Sequence, residues 1–252
     1  MNPFAGLAPN VVRILPLLHT VITAAVFSAW SCALLLVWRN RPCYPRLATV
    51  HFTKGQLCSL PPLTIVVPAC NEALTVGRAM RSLLALEYPD LEIIAVNDRS
   101  TDETGDILDC LAAGNKRLRV LHINRLPPGW LGKNHALHVG GLQARGDWIL
   151  FTDADVVYQP DALERAVAYA AMTRTDHLVA CPRCRGFDFW EKLFMSYFGL
   201  MFLLRVRPWE VEQPGRSAYF GFGAFNLVRT EAYRKSGGHD AMPMEVTDDT
   251  KL

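Results

Sequence analysis

The hydrophobic positions of this chain fall into two regimes. From Ile14 to Trp38 no Asp, Glu, Lys or Arg interrupts the sequence. A run of that length predicts a helix able to cross a bilayer, which takes roughly 20 residues, whereas a soluble helix so long would show a polar face. After residue 62 the pattern changes to short apolar runs separated by amphipathic segments. Leu63–Val67, Leu91–Val96, Leu118–Ile123 and Trp148–Phe151 read as strands buried on both faces. Between and after them, Thr75–Leu86, a segment capped by Thr101 or Asp102 and running to Ala113, Asn134–Ala144 and Asp161–Met172 read as helices. Such alternation predicts an α/β fold, an open and mostly parallel sheet with helices on both faces.

From Phe189 the alternation stops. Leu193–Leu204 is apolar all round and, at that length, too short to span a membrane. It is expected in the membrane interface, with burial in the protein as the alternative. Tyr219–Val228 is rich in glycine and aromatic residues and predicts a strand flanking a site. The resulting plan has an N-terminal segment 1–38 with its membrane helix at about 14–38, a basic and proline-containing tether over 39–62, and an α/β domain over 63–252.

Composition narrows the function classes. A net charge of +2 argues against nucleic-acid binding, which calls for a more pronounced basic surface. Arg39, Arg41, Arg46 and Lys54 follow the apolar span, against Arg13 alone before it, so the positive-inside rule expects a single-pass protein of the inner or plasma membrane with its bulk in the cytoplasm. Seven scattered cysteines fit a reducing compartment better than a disulfide framework. Cys181-Pro182-Arg183-Cys184 lacks the second pair that a structural zinc site needs.

Three polar clusters follow three of the strands. Ala69-Cys70-Asn71-Glu72 follows the first, Asn97-Asp98-Arg99-Ser100-Thr101-Asp102 the second, and Asp153-Ala154-Asp155 the fourth. Each alone could be an acidic turn with a helix cap. Together they occupy the place where open α/β sheets bind ligands, outside the carboxyl ends of the strands. Two carboxylates one residue apart after a buried strand suit a hard divalent cation that also carries phosphate oxygens.

These clusters, with Pro127-Pro128-Gly129-Trp130-Leu131-Gly132-Lys133-Asn134, Gly237-Gly238-His239-Asp240 and Thr247-Asp248-Asp249-Thr250-Lys251-Leu252, resemble the family 2 glycosyltransferases with a GT-A, Rossmann-like fold. The resemblance covers about residues 63–252 and is nearest to the membrane-associated members linked to hopanoid or carotenoid lipids. It implies a nucleotide-diphosphate sugar donor, expected to be a UDP-sugar, a lipid or membrane-associated acceptor, and Mg²⁺ or Mn²⁺ as cofactor. Pro68, Ala69, Asn71, Glu72, Asp98, Lys133 and Asp153 would bind the donor, with Glu72 and Asp98 accepting hydrogen bonds from ribose and uracil. Asp155, helped by Asp153, would hold the metal. Asp249, rather than its neighbour Asp248, would be the general base of an inverting transfer. Family members usually continue with a Gln-x-x-Arg-Trp-like segment, which does not follow Leu252 here. The domain is therefore expected to be incomplete at that end. The alternative reading is a nucleotide-sugar-binding subunit, or an enzyme whose acceptor side is closed by a partner polypeptide.

Overall fold

The structure is a computed structural model and describes residues 9–43, 46–49, 60–184, 188–211, 213, 215 and 219–247. The chain divides into two compact units, one comprising Met1–Pro45 with Phe187–Ala218, the other Arg46–Gly186 with Tyr219–Leu252. Residues 187–218, expected within the α/β domain, thus group with the N-terminal helix.

In the smaller unit, helix α1 spans Pro9–Asn40 and is the one helix among the described residues long and apolar enough to cross a membrane. None of that apolar stretch is buried in the protein. Pro16 lies inside the helix, and the Thr20 hydroxyl donates to the Pro16 carbonyl at 2.9 Å. The segment read as Leu193–Leu204 belongs to a longer helix, Phe189–Val206 (α6 in chain order). It begins earlier because Asp188 and Glu191 form a reciprocal capping box. No residue of this helix is buried, so the buried alternative does not hold. Trp30 and Tyr197 bring their rings to 5.9 Å.

The larger unit carries the sheet. Strand β1 (Leu63–Ala69) is followed by α2 (Val76–Leu84), β2 (Leu91–Asp98), α3 (Thr104–Ala113), β3 (Leu118–Ile123), α4 (Gly132–Gln143), β4 (Trp148–Phe151) and α5 (Ala162–Thr173). Then come the short β5 (His177–Val179) and, after the smaller unit's helix, β6 (Asn226–Arg229) and α7 (Thr230–Lys235). The strand order is β3-β2-β1-β4-β6-β5. The first four strands run parallel, whereas β6 pairs antiparallel with both β4 and β5.

Strand alternation sends side chains to opposite faces. Leu63, Ile65 and Val67 of β1 join Val76, Met80 and Leu83 of α2 and Leu163 and Val167 of α5 in one buried cluster. Val66, Ile94, Val96, Ile149 and Phe151 face the other way and pack with Ala136 and Leu137 of α4 and Tyr233 of α7. Both faces are covered, which is why the strands read as continuous apolar runs rather than alternating ones. The chain moves outward from β1 to β3 and then returns to place β4 on the other side of β1. The crevice between the carboxyl ends of β1 and β4 is therefore the sheet's switch point, where ligands bind in such folds.

Candidate functional site

A cavity of about 250 Å³ opens at that switch point, lined by Pro68, Ala69, Cys70, Glu72, Asp98, Lys133, Asp153, Ala154 and Asp155. Most of the residues singled out from sequence thus meet in one place. Asn71 does not line it. Its backbone is left-handed at φ 58°, and its side-chain oxygen accepts from the Thr101 amide at 2.8 Å.

That contact is one of a set joining the two loops. The Asn71 amide donates to the Ser100 hydroxyl at 3.1 Å, the Glu72 amide to the Thr104 hydroxyl at 2.8 Å, and the Ala73 amide to an Asp102 oxygen at 3.1 Å. Asp102 also accepts from the Thr104 amide at 3.0 Å. Hydrogen bonds from Thr104 and Ala73, with the Thr104 side-chain contact the strongest, hold the Asp102 carboxyl below the usual range. The β1 and β2 loops are thereby fixed to each other by polar groups of which, Glu72 apart, none belongs to a residue lining the cavity.

The carboxylates that do line it differ in their surroundings. Asp98 is 3 % exposed and receives two bonds from the neighbouring Arg99, at 2.8 and 2.9 Å. That fork, bidentate and charge-assisted, is possible because Arg99 turns back with φ 55°. Gly132 at the start of α4 permits it too, since a Cβ there would sit 2.5 Å from Asp98 Oδ2 and 2.6 Å from Arg99 Nη2. Glu72 Oε2 accepts from the Thr75 hydroxyl at 2.6 Å. Lys133 Nζ stands 2.8 Å from Asp153 Oδ1, linking α4 to the turn after β4.

Asp155 is exposed and has no hydrogen-bond or ion-pair partner among the described residues. Its turn is anchored from below. The Thr152 hydroxyl donates to the Ala224 carbonyl at 2.8 Å, and the buried Tyr158 hydroxyl reaches Thr152 Oγ1 at 2.8 Å and the same carbonyl at 2.9 Å. Burial pushes the Tyr158 phenol up, so it stays a donor. The Cys70 thiol is also pushed up, first by desolvation and then by Asp98, which disfavours a thiolate nucleophile.

Among the described residues no group of three or more His, Cys, Asp or Glu side chains could cage a metal ion. The donor set at Asp153 and Asp155 is instead two carboxylates beside an open cavity, one paired with Lys133 and one unpartnered. This fits Mg²⁺ or Mn²⁺ bound with phosphate and water completing the shell, and does not fit a closed structural site. Asp248 and Asp249 lie outside the described residues. Arg99, Thr75, Thr152 and Tyr158 were not singled out as site residues from sequence. The adjacency of Arg99 to Asp98 and the three-residue spacing of Thr75 from Glu72 were the local signals, whereas the Thr152 and Tyr158 contacts to the Ala224 carbonyl depend on tertiary approach.

A mostly parallel sheet with acids gathered at its switch point is an open α/β fold of the kind that binds ligands at its strand ends. The model of glycosyl transferase family 2 matches residues 64–237, more than half the chain, and the chain belongs to that family. The chain is 29 % identical over 224 residues to the 4,4'-diaponeurosporenoate glycosyltransferase of Staphylococcus aureus (strain MRSA252), a match covering 88 % of this chain and 56 % of that one. It thus spans little more than half the length of the curated relatives it matches. Among solved structures, the mannosyltransferase PcManGT of Pyrobaculum calidifontis, in complex with GDP-Man and Mn²⁺, superposes with a TM-score of 0.61 at 23 % identity, over 91 % of this chain and 60 % of that one. TarS 1-349 of S. aureus in complex with UDP superposes with a TM-score of 0.52 at 21 % identity, over 75 % and 53 %. These likenesses establish the GT-A fold.

Proposed function

We propose that the chain is the donor-binding part of an inverting glycosyltransferase that moves a sugar from a nucleotide diphosphate, UDP for preference, to a hydroxyl of a lipid-like acceptor. The observation that carries this reading is the meeting of Glu72, Asp98, Lys133, Asp153 and Asp155 around one cavity at the switch point of the sheet. Glu72 and Asp98 offer acceptor oxygens to the ribose hydroxyls and the base. Arg99 and Thr75 keep those carboxylates in place. Lys133, now paired with Asp153, would turn its ammonium to the diphosphate.

Asp155, with Asp153, would hold Mg²⁺ or Mn²⁺, which when bound supplies positive charge to the departing diphosphate. An acceptor oxygen attacks the anomeric carbon from the face opposite the nucleotide. The new carbon–oxygen bond forms as the bond to the diphosphate oxygen breaks, and Asp249 takes the hydroxyl proton. Configuration inverts, with oxocarbenium character at the sugar as in glycoside hydrolysis. General-base assistance of this kind typically contributes a factor of roughly 10² to 10⁴.

Two features favour a membrane-associated acceptor: the apolar helix α1, and the 4,4'-diaponeurosporenoate that the curated relative's name states for that protein. We assign the larger unit to the cytoplasmic side on the basic residues that follow α1. The test uses membranes bearing the chain in its longest natural form, supplied with radiolabelled UDP- and GDP-sugars, Mn²⁺ or Mg²⁺ and a lipid extract. Label should enter the lipid fraction and disappear with chelator and in Asp249→Asn. Undiminished transfer in Asp249→Asn overturns the base assignment, and no transfer from any donor overturns the activity.

A further inference from the structure

The first turn of α4 does more than carry Lys133. Asn134, the next residue, is 1 % exposed. Its side-chain Nδ2 donates to the Met242 carbonyl at 2.9 Å and to the Glu245 carbonyl at 2.8 Å, with the Pro243 carbonyl at 3.4 Å. The backbone amide of Leu131 donates to the Pro243 carbonyl at 2.9 Å. The Glu245 amide closes the turn onto the Met242 carbonyl at 3.2 Å. One helix start therefore grips the backbone of a segment 108 residues further along the chain.

The chemistry of the grip is selective. All three partners of the side chain are carbonyl oxygens, so position 134 must donate and need not accept. An amide nitrogen has two protons, matching the two short contacts. A carboxylate would face the carbonyls with like polarity, and an aliphatic side chain would leave them unsatisfied in a buried place. The segment so held runs on to Asp248 and Asp249 three and four residues after Glu245. Lys133 points its charge into the donor cavity from the same turn.

We infer that Asn134 is a positioning residue: it fixes the backbone of residues 242–245, from which the chain runs on to Asp249, to the first turn of α4 that also carries Lys133. This rests on the glycosyl-transfer reading and on Asp249 as base. The expected signature is a loss of turnover without a loss of nucleotide affinity, since a misplacement of about 1 Å can cost 10²-fold in rate.

The test compares the full chain in membranes with Asn134→Leu, which keeps the branched shape and heavy-atom count and removes the donor, and with Asn134→Ala. Thr230→Val serves as a stability control, because Thr230 donates to the buried Gly146 carbonyl at 2.5 Å, at the far end of the sheet. In both Asn134 variants kcat should fall about 100-fold, the KM for the nucleotide sugar should stay within about twofold of wild type, and amide exchange over residues 242–247 should quicken about tenfold. Thr230→Val should lower Tm comparably and leave kcat and that exchange unchanged. Retained turnover in Asn134→Leu, unaltered exchange over 242–247, or an equal fall of kcat in Thr230→Val would each overturn the inference. Absence of transfer by the wild-type chain would count against the glycosyl-transfer reading instead, and the exchange comparison would still decide whether Asn134 holds the segment.

Discussion

At the amino end of β4 a cavity of about 610 Å³ is lined by Arg145, Asp147, Trp148, Arg229 and Lys235, among others; at its carboxyl end the cavity is about 250 Å³. The larger one is the poorer candidate for chemistry, because it lies away from the carboxyl ends of the parallel strands, and two of its basic side chains are already paired. Arg229 meets Asp176 at 2.6 Å and lies 4.8 Å over the Trp148 ring, while Lys235 meets Glu231 at 2.6 Å. Its polar backbone is capped as well: Thr64 Oγ1 accepts from the amides of Arg145 and Gly146, and Thr230 donates to the Gly146 carbonyl. The smaller cavity gathers acids from three strand ends and leaves Asp155 without a partner among the described residues. Place in the sheet, rather than volume, separates the binding site from the structural joint.

Substitutions at the two ends should accordingly fail in different assays. Asp155→Ala should have the largest effect on function, a loss of about 10³-fold in kcat/KM, equivalent to about 4 kcal/mol of barrier, with Tm unchanged. Transfer within tenfold of wild type would erase the contrast. Gly146→Ala should show the reverse. A Cβ at that position would stand 2.6 Å from the Thr64 amide nitrogen and 2.8 Å from the Leu63 backbone. Neither is a side chain able to swing away, so the cost should reach about 3 kcal/mol. Calorimetry should then show Tm lower by roughly 6–12 °C, with nucleotide affinity kept in the fraction that remains folded.

Lys133→Ala comes next, with kcat/KM about 10²-fold lower. It sharpens the comparison because Arg234→Ala at the other end, whose guanidinium reaches only the Ala144 carbonyl at 3.3 Å, should change turnover by less than about twofold.

The smallest effect concerns pH. His239 packs edge-on against Phe151 and receives the Tyr233 side chain. Burial above all, with His138 and Lys133 adding to it, pushes its pKa down to about 3. An unfolded imidazole titrates near 6.5. The unfolded chain therefore takes up the proton first, so this contribution to stability is intact above about pH 6.5 and is lost progressively as pH falls towards 3. Between pH 6.5 and 5 the loss is about 2 kcal/mol. Tm measured over that interval should fall more steeply for wild type than for His239→Asn. Equal slopes would remove His239 from the account.

The sequence was legible where one force dominates. Continuous apolar runs gave β1 to β4, because strands covered on both faces carry no polar alternation. The three acidic clusters were legible because each follows directly on such a run. Legibility ended where structure depends on distant partners. β5 has three residues and no pattern of its own. β2 runs two residues beyond its apolar stretch, because Asn97 and Asp98 pair with β3 and are buried there. Asn71 was read as a donor-binding residue but lies outside the cavity lining and bonds to Thr101, a partner 30 residues away. The helix at Leu193–Leu204 was read short because its first turn, Phe189-Trp190-Glu191-Lys192, carries two charges and is made helical by a cap, which apolar spacing does not reveal.

The hydrogen bonds that join Asn71, Glu72 and Ala73 to Ser100, Asp102 and Thr104 have a consequence for how a nucleotide would be received. They are formed by the protein alone, so the entropy of ordering these two loops is surrendered at folding and not at each binding event. On the proposed reading, the half of the crevice that would receive the nucleoside is thus a preformed mould. On the same reading, the adjustment that accompanies catalysis falls to the opposite wall, where the Lys133–Asp153 pair would open.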